Sequence, residues 1–142
     1  MIKRHASAQW EGTIKTGNGT VKTESGALDG AYSFGTRFEN QPGTNPEELI
    51  GAAHAGCFSM ALSGAIEKAG FTPQSISTKA EVSLEKGSAG FKITTIQLST
   101  EVSVPDMGDN QFQELAQSAK TNCPVSQALV GVDINLTAKL VS

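Results

Sequence analysis

Apolar and small residues occupy almost every position from Leu49 to Ile66, and this segment constrains the fold more than any other part of the sequence. The spacing leaves almost no polar face before Glu67 and Lys68, which is typical of a helix buried on most sides. Glycine or alanine at positions 51–53 and 55–56 would also let another backbone approach closely. The pattern therefore predicts a long central helix against which sheets pack.

Local signals mark both ends of this helix. Asn45 suits the N-cap, Pro46 suits the first helical position, and Glu48 stands at the third position of a capping box. Gly70 is a typical residue at which a helix stops. We therefore expect the helix to begin at Pro46 and to end at about Ala69.

Two β segments are predicted before the helix. Residues 9–23 contain TGNGT, and the Asn18-Gly19 pair accepts the positive φ angles of a tight hairpin turn. Residues 31–40, AYSFGTRFEN, alternate with a period of two, which predicts a half-buried strand. In such a strand Arg37 points away from the aromatic face.

The rest of the chain predicts a long hairpin, two helices and a last strand. Residues 109–122 have apolar side chains at helical spacing, and Cys123-Pro124 ends that helix and begins another, with Cys123 at the N-cap. Strands are expected over 76–86, 91–104 and 132–140. Because strands and helices form separate blocks, we expect an α+β fold with largely antiparallel sheets.

Length and composition fit one soluble domain over residues 1–142. With 11 Lys and Arg against 14 Asp and Glu, the chain lacks the basic excess that phosphate contacts require, so nucleic acid is not an expected partner. No run of apolar residues reaches the roughly 18 needed to span a membrane, and the N-terminus carries no apolar secretory signal. We expect a cytoplasmic protein without a membrane partner.

The residues alone leave two interpretations of Cys57 and Cys123. Cys123 stands at a helix start, where free N–H groups and the helix dipole favour a thiolate. Cys57 lies about three turns into its helix, beyond the reach of the dipole, and would need a cation from elsewhere to become reactive. Free cysteine is also among the most buried residue types, so both could be ordinary core residues.

A zinc site made from these cysteines with His5 and His54 is not expected. Structural zinc sites usually gather their ligands in close pairs on turns, and His5 lies near a terminus. We interpret His54 as a core or interface residue. The sequence predicts no metal and no bound cofactor.

Three stretches, GTNPEELIGAAHAGCFSMALS, the upstream TRF and the downstream KTNCPVSQAL, closely resemble the OsmC branch of the OsmC/Ohr organic hydroperoxide reductases. The similarity extends from about Trp10 to Leu140. It implies an OsmC-like intertwined homodimer with sites at its interface, and a peroxidase that reduces organic hydroperoxides to alcohols. It also suggests a dihydrolipoyl-type dithiol as the reductant.

The resemblance further implies roles for four residues. Cys57 attacks the peroxide and Cys123 resolves the sulfenic acid as a disulfide, while Arg37 and Glu47 assist. The chemistry agrees, because a thiolate is the nucleophile and a mid-helix cysteine needs a cation such as Arg37. Glu47 would orient the guanidinium by a bidentate pair. Glu48 is accounted for by the capping box and is left out of the site.

Helix geometry adds an expectation about assembly. Glu47 and Cys57 are ten positions apart on one helix, about 15 Å along a straight axis and on different faces, so they cannot meet within one chain. Two copies of the helix crossing antiparallel near Ala52 would bring Glu47 of one chain beside Cys57 of the other. Apolar residues near Cys57, Phe58 and Met60 among them, favour a bulky apolar peroxide.

The sequence therefore predicts a homodimeric thiol peroxidase. The alternative is a non-catalytic binding or stress-structural protein on the same fold, in which the two cysteines serve only as core residues.

Overall fold

The computed structural model describes residues 1–141, which form six strands and four helices. The chain divides into two compact units, of which the first covers Met1–Leu49 and the second begins at Ile50. The mixed α+β class expected from the sequence is confirmed. The single domain over 1–142 stays a prediction.

The first unit contains a three-stranded antiparallel sheet and a short helix. Its elements are β1 (Ala6–Glu11), β2 (Asn18–Thr23), β3 (Asp29–Tyr32) and α1 (Phe34–Phe38), with the strands in the order β1-β2-β3. The opening hairpin is therefore confirmed. The predicted turn is wrong, because Asn18 and Gly19 begin β2 and the connection is formed by residues 12–17.

Gly19 is needed for a close approach rather than for a turn. It is buried beside the rings of Trp10 and Tyr32, whose centroids are 5.3 Å apart. A Cβ atom at Gly19 would lie 2.6 Å from the carbonyl oxygen of Gln9, 2.6 Å from the Tyr32 ring and 2.7 Å from the Trp10 ring. No other residue fits this position without displacing its neighbours.

The predicted strand over 31–40 is confirmed only for Ala31 and Tyr32, which end β3, and is wrong beyond them because α1 forms over Phe34–Phe38. Ser33 is the N-cap: its Oγ accepts from the Thr36 N–H at 3.2 Å, and the Thr36 Oγ1 accepts from the Ser33 N–H at 2.8 Å. Gly35 is buried against the terminal amide of Gln41, which would have to move to admit a Cβ atom. A reciprocal capping box and a close contact therefore override the period-two pattern.

The remaining elements follow the predicted order. They are α2 (Pro46–Lys68), β4 (Ser75–Gly87), β5 (Gly90–Ser103), α3 (Asp109–Asn122), α4 (Pro124–Ala128) and β6 (Asp133–Leu140). The second sheet has the order β4-β5-β6, in which β4 and β5 are antiparallel and β6 joins β5 in parallel. The expectation of largely antiparallel sheets is confirmed, with β6 as the exception.

The ends of α2 are formed as the sequence predicts. The Glu48 N–H donates to the Asn45 Oδ1 at 2.8 Å, which caps the N-terminus. At the other end, Gly70 has a φ of +94°, and the Phe71 N–H donates to the carbonyl of Ile66 at 3.2 Å. Both signals were local, so sequence alone located them.

The burial of α2 differs from the expectation, because one stripe is buried rather than most sides. The buried stripe consists of Gly51, His54, Phe58, Leu62 and Ile66, and the exposed positions include Ala52, Ala53, Gly56 and Met60. In the single chain the second face has no cover although it is also apolar. By length and composition α2 would pass as a membrane span, which corrects the expectation that no apolar segment is long enough: its best window has a mean hydropathy of 1.5, and 28% of that window is buried.

The buried stripe of α2 belongs to one hydrophobic core in the second unit. Phe58, Leu62 and Ile66 cluster with alternate residues of β5 and with Phe112 and other residues of α3. The β5 members are Ile96, Leu98 and Val102, and the α3 members are Phe112, Ala116 and Ala119. This core holds α2 against the second sheet and α3.

Because Gly19 is so closely packed, even alanine at this position should lower the stability of the protein. Gly19→Ala should lower the free energy of unfolding by about 1–3 kcal/mol, because the added methyl group has no space. Urea denaturation followed by circular dichroism measures this loss. Gly131→Ala is the control, since nothing lies within 4 Å of its added Cβ atom. Equal effects of the two substitutions would contradict the close-approach explanation.

Candidate functional site

The second unit brings the two cysteines together as reduced thiols. Cys57 lies in α2, next to the buried stripe, and Cys123 lies between α3 and α4. Their side chains lie close enough for each thiol to shift the pKa of the other. Cys123 is fully buried, whereas Cys57 is partly exposed. Only Cys57 is therefore open to a reactant from solvent in this chain.

Cys123 holds its position because the helix breaks there. Pro124 disfavours a helical conformation for the residue before it, and Cys123 has an extended backbone with φ −56° and ψ 129°. The Cys123 N–H still donates to the carbonyl of Ala119, and its own carbonyl accepts from the Gln127 N–H. Cys123 therefore ends α3 and occupies the N-cap of α4, as the sequence predicts.

The pKa values of the two thiols shift in opposite directions. Burial raises the pKa of Cys57 most, the Val125 N–H lowers it by less, and the hydrogen bond and charge of Cys123 add smaller upward shifts. Burial also acts to raise the pKa of Cys123. That effect is outweighed by hydrogen bonds to its thiolate from the Cys57 side chain, from the Ser126 N–H and hydroxyl, and from the Val125 N–H. The pKa of Cys123 is therefore lowered.

The more acidic of the two thiols is therefore not the one that solvent reaches. Cys123 loses its proton more readily but is sealed from solvent, while Cys57 is accessible but holds its proton. None of the groups that shift the pKa of Cys57 is a cation. Activation of Cys57 as a thiolate therefore requires a cation from elsewhere.

Arg37 and Glu47 form an ion pair in the first unit. The Arg37 Nε and Nη2 both donate to Oε1 of Glu47, at 2.9 and 2.7 Å. The expected bidentate pair is thus formed by two donors on one carboxylate oxygen rather than on both. Arg37 does not point away from the aromatic residues, because its guanidinium carbon lies 5.3 Å from the centroid of the Phe38 ring. The ring and the carboxylate together orient the guanidinium.

Asn45 connects the two helix ends that carry this ion pair. Its Oδ1 caps α2 next to Glu47, and its Nδ2 donates to the Thr36 carbonyl at 3.3 Å, one residue before Arg37. The four sequence-predicted residues therefore form two pairs, Arg37 with Glu47 in the first unit and Cys57 with Cys123 in the second.

A third polar contact in the second unit was missed by the sequence argument. Nε2 of the fully buried His54 lies 2.8 Å from Oγ of Ser126, which is also buried. Burial lowers the pKa of His54, so the imidazole is neutral at pH 7. The sequence signal that could have indicated Ser126 is its place three positions after Cys123, in the first turn of α4.

The apolar residues beside Cys57 are divided between core and surface. Phe58 is fully buried in the core, so its contribution to a substrate site is excluded within the described chain, whereas Met60 is 80% exposed. Within residues 1–141, no three His, Cys, Asp or Glu side chains lie together as a metal site.

A family model described as OsmC-like protein matches residues 38–137. The chain belongs to the OsmC family. Peroxiredoxin OsmC of Escherichia coli (strain K12) is 59% identical over 129 residues, which cover 90% of each chain. The organic hydroperoxide resistance protein OhrB of Bacillus subtilis (strain 168) is 34% identical over 126 residues, covering 85% of this chain and 89% of the relative.

Solved structures agree with this family. The crystal structure of OhrB of Bacillus subtilis superposes with a TM-score of 0.69 and 28% identity, over 96% of this chain and 97% of that one. An organic hydroperoxide resistance protein from Elizabethkingia anophelis superposes with a TM-score of 0.77 and 26% identity, over 99% and 97% of the two chains. The resemblance seen in the sequence is confirmed, and the α+β fold is shared with these proteins.

The buried imidazole of His54 predicts a pH dependence of stability. The ordinary pKa of histidine is about 6.5, and the folded-state value is lower, so below about pH 6.5 the unfolded chain binds a proton that the folded chain does not. Stability should therefore fall as the pH drops from 7.5 to 5. His54→Gln should make this loss smaller, as measured by urea unfolding at the two pH values.

Thr100→Val is the matched control, because it removes a buried polar side chain that does not titrate. Its pH dependence should follow that of the unsubstituted protein. An equal loss of stability on acidification in His54→Gln would contradict the assignment of the acid sensitivity to His54.

Proposed function

We propose that this chain is a thiol-dependent peroxidase that reduces organic hydroperoxides to alcohols, with Cys57 as the attacking thiol and Cys123 as the resolving thiol. The observation that carries the proposal is the contact between a partly exposed thiol and a fully buried one. A peroxide has to touch the sulfur that it oxidises, so the accessibility of Cys57 supports its role in the first step. The names of the relatives, peroxiredoxin and organic hydroperoxide resistance protein, support the same chemistry.

In the first step the Cys57 thiolate attacks the terminal oxygen of the hydroperoxide. The O–O bond breaks, the sulfur becomes a sulfenic acid, and the alkoxide takes up a proton to leave as an alcohol. The sulfur loses two electrons and the peroxide gains them. The reaction requires no metal or bound redox cofactor.

In the second step the Cys123 thiolate attacks the sulfur of the sulfenic acid. A Cys57–Cys123 disulfide forms, and the S–O bond breaks with release of hydroxide, which is protonated to water. Because Cys123 already contacts Cys57, resolution competes with irreversible oxidation to the sulfinic acid. A second thiol next to the first therefore protects the enzyme.

A dithiol of the dihydrolipoyl type would return the disulfide to two thiols. The exposed Met60, three positions from Cys57, fits an apolar organic peroxide better than hydrogen peroxide. Chemistry of this kind, which cycles through a reducible disulfide, suits the reducing cytoplasm, where we place the protein.

The cation that activates Cys57 is supplied by Arg37, which Glu47 orients. On the continuous helix α2, Glu47 and Cys57 are separated by about 15 Å along the axis, so we assign them to different chains of a homodimer. An antiparallel crossing near Ala52 brings Glu47 of one chain to Cys57 of the other. Because Arg37 is hydrogen-bonded to Glu47 of its own chain, both residues would reach Cys57 of the other chain.

The exposed face of α2 supports this assembly. Ala52, Ala53 and Gly56 are exposed in the single chain, and small side chains allow two helices to cross closely. A dimer contact there would cover the apolar surface that makes α2 resemble a membrane span. We therefore propose that the central position of the helix is reached only in the dimer.

The roles of the two thiols predict different failures on substitution. Cys57→Ser should abolish the consumption of cumene hydroperoxide, because no accessible thiol remains. Cys123→Ser should permit one oxidation and then stop or over-oxidise, because nothing resolves the sulfenic acid. Mass spectrometry of the peroxide-treated variants locates the oxidised sulfur.

Oxidation of Cys123 rather than Cys57 in these single variants would reverse the assignment. Wild-type protein that keeps both free thiols after one equivalent of cumene hydroperoxide would instead favour the non-catalytic protein with core cysteines.

Shared sites predict complementation between inactive chains. A heterodimer of Cys57→Ser and Glu47→Ala chains has one site with both defects and one intact site, so its activity should reach about half that of the wild type. Arg37→Ala should complement Cys57→Ser in the same way, since Arg37 travels with Glu47. Peroxidase assays on co-refolded mixtures measure the gain.

The matched control is a mixture of Cys57→Ser with Cys123→Ser chains. Both thiols of a site belong to one chain, so this mixture should show no gain in turnover. If verified Cys57→Ser and Glu47→Ala heterodimers remain inactive while Glu47→Ala alone is impaired, the glutamate acts within its own chain.

A further inference from the structure

A buried hydrogen-bonded pair of side chains lies next to the thiol pair, and the proposed peroxidase steps do not use it. It consists of His54 in α2, whose Nε2 lies 2.8 Å from Oγ of Ser126 in α4, and of that serine. Ser126 is the third residue of α4, whose N-cap is Cys123, and its hydroxyl and N–H are among the groups that favour the Cys123 thiolate beside Cys57. His54 and Cys123 are fully buried and Ser126 is nearly so. Four residues thus connect a sealed imidazole to a partly exposed thiol.

The surroundings of the imidazole indicate which atom donates the hydrogen bond between His54 and Ser126. Nδ1 of His54 is buried and has no hydrogen-bond partner among the described residues. A buried acceptor without a partner is less costly than a buried N–H without one, which favours the tautomer with its proton on Nε2. Nε2–H then donates to the Ser126 oxygen, and the single proton of the hydroxyl remains free to be donated to sulfur.

We propose that His54 and Ser126 are positioning residues that hold Cys123 as a stabilised thiolate, and that they thereby direct thiol–disulfide exchange to Cys57. A serine hydroxyl has one proton. Were it donated to the imidazole, it could not serve the Cys123 sulfur, so the tautomer of His54 decides whether the thiolate is stabilised. The exchange step rests on the proposed function, but stabilisation of the Cys123 thiolate does not.

The direction of exchange follows from access and from the leaving group. An external thiolate of the dithiol attacks the Cys57 sulfur, because Cys123 is sealed. A mixed disulfide forms at Cys57, the Cys57–Cys123 bond breaks, and its electron pair leaves on the Cys123 sulfur. The second thiol of the reductant then displaces Cys57 as a thiolate and closes the oxidised dithiol. A thiolate that is already stabilised leaves faster. His54 and Ser126, acting as a relay to Cys123, therefore speed the first of these displacements.

The test measures the ionisation of Cys123 without any peroxide. The chain has two cysteines, so in Cys57→Ser the absorbance of the thiolate at about 240 nm reports Cys123 alone. Adding Ser126→Ala should raise the Cys123 pKa and lower its thiolate fraction at pH 7 roughly tenfold, the effect of losing one hydrogen bond to a charged group. Adding His54→Leu should shift the pKa in the same direction by less.

Rescue and coupling distinguish a relay from general loosening of the core. His54→Gln should restore the pKa, because its amide nitrogen takes the place of Nε2–H as a donor. His54→Leu combined with Ser126→Ala should go no further than Ser126→Ala, because His54 acts through Ser126. Thr100→Val is the matched control, because it removes a buried hydroxyl group that bonds to Thr78 and Ser77 and not to the thiols. It should leave the Cys123 pKa unchanged.

An unchanged Cys123 titration in Ser126→Ala overturns the relay, and so does an equal upward shift in Thr100→Val. Nitrogen-15 shifts that place the proton of His54 on Nδ1 overturn it as well. In protein that keeps both cysteines and has been oxidised to the disulfide, Ser126→Ala should slow reduction by dithiothreitol. A monothiol adduct should be found on Cys57. If the pKa shifts appear but peroxide is not consumed, the relay stands and the proposed peroxidase function fails.

Discussion

The packing of the α2 stripe against β5 and α3 is the contact on which the second unit depends. Phe58, Leu62 and Ile66 are fully buried in that core, and truncation of a buried phenylalanine typically costs about 3–5 kcal/mol. The same stripe contains His54, one turn before Phe58. Packing of ordinary apolar residues therefore sets the rotation of α2, and the rotation determines that His54 faces α4 while Cys57, beside the stripe, stays partly open.

The two thiols divide between them properties that one thiol could not combine. A sulfur surrounded by donors gains acidity but loses access, as Cys123 does. A sulfur at the edge of the core keeps access, but burial and a neighbouring thiolate raise its pKa, as for Cys57. The ion pair of Arg37 and Glu47 is held separately, by a capping asparagine and an aromatic ring. Each of the two pairs is thus held by its own local structure.

Features decided by neighbouring residues were predictable from the sequence, and features decided by contacts across the fold were not. Asn45 and Gly70 fixed the ends of α2 because caps depend on a few adjacent residues. The turn expected at Asn18-Gly19 was wrong because the space beside Trp10 and Tyr32, not a turn, requires that glycine. In the candidate site, the resemblance supplied four residues, whereas Ser126 depends on a partner 72 positions away.

The position of α2 in the chain has a consequence for biosynthesis. α2 is complete at Lys68, but the sheet and helix that cover its buried stripe are complete only at Leu140. At translation rates of about 5–20 residues per second, roughly 4–14 s pass before the covering elements have all been made. During that interval the buried stripe is covered only in steps, because β5 is complete at Ser103, α3 at Asn122 and β6 last. The segment that organises the second unit is therefore also an exposed apolar site on the nascent chain, open to chaperones and to aggregation.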